Sequence, residues 1–111
     1  MEHEFDLVLR DADLCTAADR FRADIGIRGG RIAAIGERLG AAAVGIDAAG
    51  RLVTPGGVDA HCHLDQPMGD GSRMADDFET GTRSAACGGT TTVIPFAAQV
   101  KGGSLRAAVD D

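Results

Sequence analysis

The chain has few of the residue types from which small domains build a dense core. Its 111 residues include no Trp, no Tyr and only four Phe, against 16 Gly. Because aromatic side chains supply much of the area that a small core buries, the core must come from Ala, Val, Ile and Leu. A chain of this length is one small domain or a piece of a larger protein, and two complete domains are excluded.

Long apolar runs and basic segments are also absent. No run approaches the roughly 18 apolar residues of a spanning helix, and the start, Met1-Glu2-His3-Glu4, lacks the features of a signal peptide. The 17 Asp and Glu outnumber the 11 Lys and Arg, giving a formal charge of −6, which is unsuited to neutralising phosphates. The sequence therefore predicts a soluble, cytoplasmic protein with neither a nucleic-acid nor a membrane partner.

Cysteine is scarce and irregularly placed. Cys15, Cys62 and Cys87 are odd in number and unrelated in spacing, which favours neither a disulfide framework nor a CxxC site. We interpret them as reduced thiols.

The first half of the chain has the pattern of β-strands. Apolar residues alternate with polar ones over residues 5–9 and again around residues 25–27, which is the period of a half-buried strand. Gly29-Gly30 stands where a two-residue hairpin turn belongs, with residues 31–35 as the returning strand. Further short strands are expected over residues 44–46 and 51–54, so residues 1–54 are predicted to form a small antiparallel β domain.

The pattern changes after Pro55. Residues 58–64 and 90–96 have the composition of strands. Between them Asp76 is predicted to be the N-cap of a helix, with Glu79 completing a capping box, and Gly88-Gly89 ends the helix. The order strand, helix, strand predicts a βαβ unit with a parallel pair, followed by a helix that begins after Ser104. Such a unit leaves both sheet edges open, so we expect the chain to be part of a longer protein.

The strongest chemical signal is His61-Cys62-His63. Residues two apart on a strand point to the same side, so the two imidazoles could chelate a divalent metal. They lie at the end of the strand predicted over residues 58–64, and α/β barrels build their active sites at this end of their strands. Structural or surface histidines are the alternative. Asp59 shares this face and could orient an imidazole, although burial for structural reasons is the alternative there.

Three segments carry a resemblance to a known family: residues 54–64 (TPGGVDAHCHL), 76–82 (DDFETGT) and 88–92 (GGTTT). They closely resemble the N-terminus of the dihydropyrimidinase/hydantoinase branch of the amidohydrolase superfamily. Residues 23–36 are similar to that family's small β domain, so the resemblance covers essentially the whole chain. It implies a fragment of a two-domain amidohydrolase, with residues 55–111 forming the first βαβ unit of a metal-dependent (β/α)8 TIM barrel.

The resemblance also implies an activity. Members of this branch hydrolyse the ring amide of hydantoins or dihydropyrimidines to N-carbamoyl amino acids, with a divalent metal, expected to be Zn²⁺ and binuclear in the intact enzyme. His61 and His63 match two of the metal ligands. A homotetramer is implied for the full-length enzyme.

The loop after the histidines is implied to border the substrate. Dihydroorotases and allantoinases resemble each other in having Arg after the HxH-Leu sequence, where this chain has Asp65, so a carboxylate-bearing substrate is disfavoured. The resemblance places Leu64, Pro67 and Met68 at the pocket for the ring substituent. A mobile surface loop is the alternative for each.

The chain departs from the family in what it lacks. The family's carboxylated lysine, two further histidines and an aspartate come from later barrel strands, and the only lysine here, Lys101, lies in a Gly-rich loop. The 111 residues alone are therefore predicted to be inactive. Two other hypotheses remain open: a non-catalytic module that assembles through its open sheet edge, and a mononuclear metal-binding protein.

Overall fold

A computed structural model describes residues 3–110. The chain divides into two compact units, Met1–Pro55 and Gly56–Asp111. Within the described residues the elements are β1 (Phe5–Cys15), β2 (Arg20–Arg28), β3 (Arg31–Gly36), β4 (Ala42–Asp47), β5 (Leu52–Val53), β6 (Gly57–Cys62), α1 (Phe78–Cys87), β7 (Thr90–Pro95) and α2 (Leu105–Asp110). Neither described helix is long and apolar enough to cross a membrane.

The first unit is built on one sheet with the strand order β3-β2-β1-β4. The β2–β3 hairpin is confirmed: Gly29 and Gly30 have φ values of 59° and 71°, the left-handed conformations that a tight turn of this kind requires. β1 pairs with β2 in the antiparallel sense, and the core forms along these two strands. It consists of Phe5, Val8, Ala12, Leu14, Ala23, Ile25 and Ala48.

The antiparallel arrangement predicted for residues 1–54 is confirmed for β1, β2 and β3, but it is wrong for β4 and β5, which both pair with β1 in the parallel sense. β3 lies at the far edge, so residues 37–41 must carry the chain across to the free edge of β1. Arg10 holds this crossover by donating to the carbonyl oxygens of Leu39 (2.9 Å) and Gly40 (3.0 Å). The chain consequently enters β4 in the direction of β1, and the sheet is mixed.

A buried carboxylate supports the crossover. Asp24 is only 7% exposed and accepts hydrogen bonds from the backbone N–H groups of Asp11 (2.8 Å) and Leu39 (3.0 Å), as well as from Arg10 (3.2 Å). Asp11 lies at a register shift of β1 with φ of 58°, where its N–H is free to leave the ladder. The Asp24 carboxylate thus provides a hydrogen-bond acceptor both for an N–H in the irregular part of β1 and for an N–H in the connection between β3 and β4.

The second unit contains the predicted βαβ arrangement. β6 pairs with β7 in the parallel sense, and α1 lies between them in the chain. The N-cap prediction was wrong by one residue. Asp77 caps α1 by accepting from Thr80 N–H (2.8 Å), and the Thr80 hydroxyl accepts from Asp77 N–H (3.1 Å), so Thr80 replaces Glu79 in the capping box. Among the described residues of this unit only Gly81 is buried.

Candidate metal centre

His61 and His63 lie where β6 ends. His61 belongs to the strand, whereas His63 follows its last residue, Cys62, so the strand is shorter than the predicted 58–64. From Asp59↔Val93 to Cys62↔Pro95 the pairing advances three residues on β6 and two on β7. β6 therefore has one extra residue between Asp59 and Cys62, a segment that includes His61, and bulges of this kind redirect side chains next to functional sites.

The two imidazoles stand close together. Their ring centroids are 5.5 Å apart and their planes are inclined by 59°. Two imidazoles that share one tetrahedral zinc ion, with Zn–N bonds of about 2.0–2.1 Å, have ring centroids about 5 Å apart. The separation of the two rings is close to that spacing. Within residues 3–110 no group of three or more His, Cys, Asp and Glu side chains is arranged to hold a metal, so this chain offers two donors.

Phe96, just after β7, packs against both imidazoles. Its ring centroid lies 4.7 Å from that of His61, and 5.0 Å from that of His63 in a stacked arrangement with an interplanar angle of 20°. The Phe96 N–H donates to the Cys62 carbonyl (2.8 Å), which sets the aromatic ring beside the histidine pair. No sequence motif indicated Phe96, although its place at the end of the second parallel strand could have done so.

Asp59 contacts the main chain of the site. Its carboxylate accepts from the backbone N–H of His61 at 3.0 Å. This bond supplies a partner for an N–H in the irregular part of the ladder, where regular pairing is interrupted. The suggested role in orienting an imidazole stays a prediction, since the contact that the structure describes is with the backbone.

Gln66 makes the polar contact with an imidazole. Its Oε1 lies 2.5 Å from Nδ1 of His63. The preceding residue, Asp65, has a φ of 48°, an uncommon conformation for a residue other than glycine. This turn brings Gln66 back towards His63, three residues earlier. Sequence reasoning did not find Gln66, because a loop glutamine acquires this contact only through the local turn.

The loop between β6 and α1 is folded onto itself. The N–H of Asp65 donates to the Asp76 carbonyl (3.0 Å), and Pro67 and Arg73 form an isolated bridge. At the loop tip Asp70 accepts from the Ser72 hydroxyl (2.6 Å) and N–H (2.9 Å). The Ser72 hydroxyl, followed by its N–H, holds the pKa of the Asp70 carboxyl below its ordinary value.

The predicted substituent-pocket residues occupy different positions. Leu64 and Pro67 line an open cleft of about 1050 Å³, together with Phe78 and Phe96. Leu64 is half-buried and also packs against Gly81 of α1. Met68 is exposed and does not belong to the cleft lining. Contact of these three side chains with a substrate stays a prediction.

The second unit thus carries two neighbouring imidazoles at the carboxyl end of a parallel strand, which is the end where (β/α)8 barrels carry their active sites. A model of the amidohydrolase family matches residues 52–111, which is more than half of the chain. The chain therefore belongs to the amidohydrolase family.

Named relatives agree with this membership. The chain is 46% identical to a D-hydantoinase of Ralstonia pickettii over 104 residues, covering 94% of this chain and 22% of the relative. It is 46% identical to an allantoinase of Salmonella paratyphi B over 90 residues, covering 81% of this chain and 19% of that enzyme. A solved D-hydantoinase structure superposes with a TM-score of 0.85 at 45% identity, over 96% of this chain and 23% of its own. The chain thus spans less than a quarter of the length of these relatives.

Proposed function

We propose that this chain supplies the first two metal ligands and the substrate-side loop of a zinc-dependent cyclic amidohydrolase. The reaction is hydrolysis of the ring amide of a hydantoin or a dihydropyrimidine to an N-carbamoyl amino acid. The observation that carries the proposal is the pairing of His61 and His63 at the end of β6, with ring centroids 5.5 Å apart, in a segment matched by the amidohydrolase model.

The proposed division of the molecule follows the same reasoning. Residues 1–54 contribute to a small β domain, and residues 55–111 form the first βαβ unit of a (β/α)8 barrel, with β6 as its first strand. Active sites of such barrels lie at the carboxyl ends of the strands, which is where the two histidines and Phe96 stand. The parallel pairing of β6 with β7 supports this assignment.

Each side chain then has a defined task. His61 and His63 donate imidazole nitrogen to a divalent ion, which when bound supplies an activated water and polarises the carbonyl of the ring amide. Phe96 shields one side of the imidazoles from solvent, and Leu64 and Pro67 border the cleft beside them. Because two imidazoles do not complete a zinc site, we expect the 111 residues alone to be inactive.

A segment exchange tests the proposal directly. The matched N-terminal segment of the Ralstonia pickettii D-hydantoinase is replaced by this chain, and hydrolysis of hydantoin, dihydrouracil and allantoin is measured. We expect hydrolysis of the first two rings, and loss of it when His61→Ala is introduced. A folded chimera that hydrolyses none of the three rings, or that hydrolyses them equally well with His61→Ala, would contradict the proposal.

A second candidate is a module that assembles through its sheet edge without catalysing a reaction. The observation in its favour is that β6 and β7 form a two-stranded sheet among the described residues, so each has an unpaired edge; apolar side chains of this sheet are also exposed, with Val58 64% and Ile94 54% exposed. It predicts a defined oligomer of the isolated chain in sedimentation experiments. A monomer, or a broad distribution of sizes, would count against it.

A further inference from the structure

The atom through which His63 could bind a metal depends on which of its two ring nitrogens has an available lone pair. A neutral imidazole carries one proton, so one nitrogen donates a hydrogen bond and the other has the lone pair that binds a metal. Free imidazole side chains exchange between the two forms. A fixed partner at one nitrogen therefore decides which nitrogen can act as the ligand.

Gln66 is such a partner. Its Oε1 lies 2.5 Å from Nδ1 of His63, and an amide oxygen only accepts hydrogen bonds. With the amide oxygen on this side, Nδ1 carries the proton and the lone pair lies on Nε2. The left-handed turn at Asp65 and the bond from Asp65 N–H to the Asp76 carbonyl hold the backbone next to Gln66 in place.

Phe96 restricts the other degree of freedom of the ring. It is stacked on His63 with an interplanar angle of 20° and a centroid distance of 5.0 Å. Rotation of the imidazole about its Cβ–Cγ bond would break both this stacking and the hydrogen bond to Gln66. The two contacts therefore fix the direction of Nε2 as well as its protonation.

We propose that Gln66 is a positioning residue, which sets His63 in the Nδ1–H tautomer and so presents Nε2 as the metal-binding atom. This inference rests on the proposed function, since it concerns how the histidine pair meets the metal. It extends that function to a loop residue outside the HxH sequence. Partners that fix the tautomer of a metal-binding histidine in this way change metal affinity by about 10–100-fold.

The tautomer is measured without metal. Nitrogen-15 spectra of the imidazole rings are recorded on the 111-residue chain at a pH where free imidazole is neutral. We expect the native chain to show His63 in the Nδ1–H form, and Gln66→Met to shift it towards the form protonated on Nε2. Gln66→Glu keeps an acceptor oxygen and is expected to retain the native tautomer. An Nε2–H tautomer in the native chain, or spectra unaffected by Gln66→Met, would overturn the proposal.

The zinc affinity of the chimera described above provides the second readout. Gln66→Met is expected to weaken Zn²⁺ binding by about 10-fold. The matched control is Gln99→Met, since the Gln99 amide donates to the Gly103 carbonyl (2.7 Å) in a different loop, and its affinity should be unchanged. If His61→Ala abolishes zinc binding while Gln66→Met leaves both affinity and tautomer unaltered, only the positioning role fails. If His61→Ala leaves zinc binding unaltered, the proposed metal site fails.

Discussion

The Leu64 side chain lies directly over Gly81 of α1. A Cβ atom placed on Gly81 would be 2.3 Å from Cδ2 of Leu64, and Gly81 is the buried residue of that helix. Glycine in the interior of a helix costs about 1 kcal/mol relative to alanine. Its presence here is explained by the close approach of the loop that follows the histidine pair.

The effect of Gly81→Ala should therefore depend on Leu64. With Leu64 present, overpacking of about 1–3 kcal/mol exceeds the helix-propensity gain, and we expect a net loss of about 1 kcal/mol in the free energy of unfolding. In the Leu64→Ala background the same substitution should stabilise the chain by about 1 kcal/mol. Urea unfolding followed by circular dichroism measures the double-mutant cycle. Equal effects in both backgrounds would show that the two residues are not coupled.

Local patterns predicted the elements that depend on neighbouring residues. The alternation of apolar residues and the Gly29-Gly30 turn identified the β2–β3 hairpin, because both signals lie within the hairpin itself. The β6–α1–β7 order was likewise readable from composition and from Gly88-Gly89. The period of a strand predicted that the two histidines share one side, but β6 ends at Cys62, so the irregular end of the strand also determines where His63 lies.

Features that depend on distant residues were missed. The direction of β4 follows from a crossover held by Arg10 and Asp24, and no short pattern encodes those contacts. The capping residue differed because Asp76 and Asp77 are both suitable caps, and Thr80 selects the second. Gln66 reaches His63 through a left-handed turn at Asp65, which residue type alone does not indicate.

Asp24 should be the most sensitive carboxylate of the first unit. Asp24→Ala leaves the N–H groups of Asp11 and Leu39 without their acceptor, and each buried group left unpaired costs about 1–3 kcal/mol. We expect a loss of about 3 kcal/mol in the free energy of unfolding. Asp19→Ala, at an exposed aspartate, serves as the control. A comparable loss from both substitutions would contradict a specific role for Asp24 in holding the crossover.

The same carboxylate makes the first unit acid-sensitive. The N–H of Asp11, with further help from Leu39 and Arg10, holds the pKa of Asp24 below its ordinary value despite burial. Since the folded pKa lies below the unfolded value of about 3.9, the stabilisation is present above that pH and is lost as pH falls through the folded pKa. The stability difference between the native chain and Asp24→Asn should therefore shrink below about pH 4. A difference that stays constant down to acid pH would contradict this assignment.

Two substitutions distinguish the observed capping box of α1, formed by Asp77 and Thr80, from the predicted one, in which Glu79 was the partner. Thr80→Val removes the hydroxyl that accepts from Asp77 N–H and donates to Asp76 (3.0 Å), with little change in size. We expect it to lower the free energy of unfolding by about 1 kcal/mol and to reduce helical circular dichroism. Glu79→Gln removes an exposed pair with Arg83 and a charge in the first turn of the helix but no capping bond, and it should have a smaller effect. The reverse order would support Glu79 as the capping partner.

Metal content offers the sharpest test of the histidine pair in an assembled enzyme. In the chimera described above, His63→Ala removes an imidazole that lies 5.5 Å from its neighbour, so the bound metal loses a ligand. We expect zinc content, measured by mass spectrometry, to fall and hydrolysis to drop more than about 100-fold, since loss of an outer partner alone costs about 10–100-fold. Removing zinc from the unmodified chimera with a chelator should abolish hydrolysis, and added zinc should restore it. His3→Ala is the matched control, because it removes a histidine outside the pair. Full activity and full zinc content in His63→Ala would mean that the metal is held elsewhere.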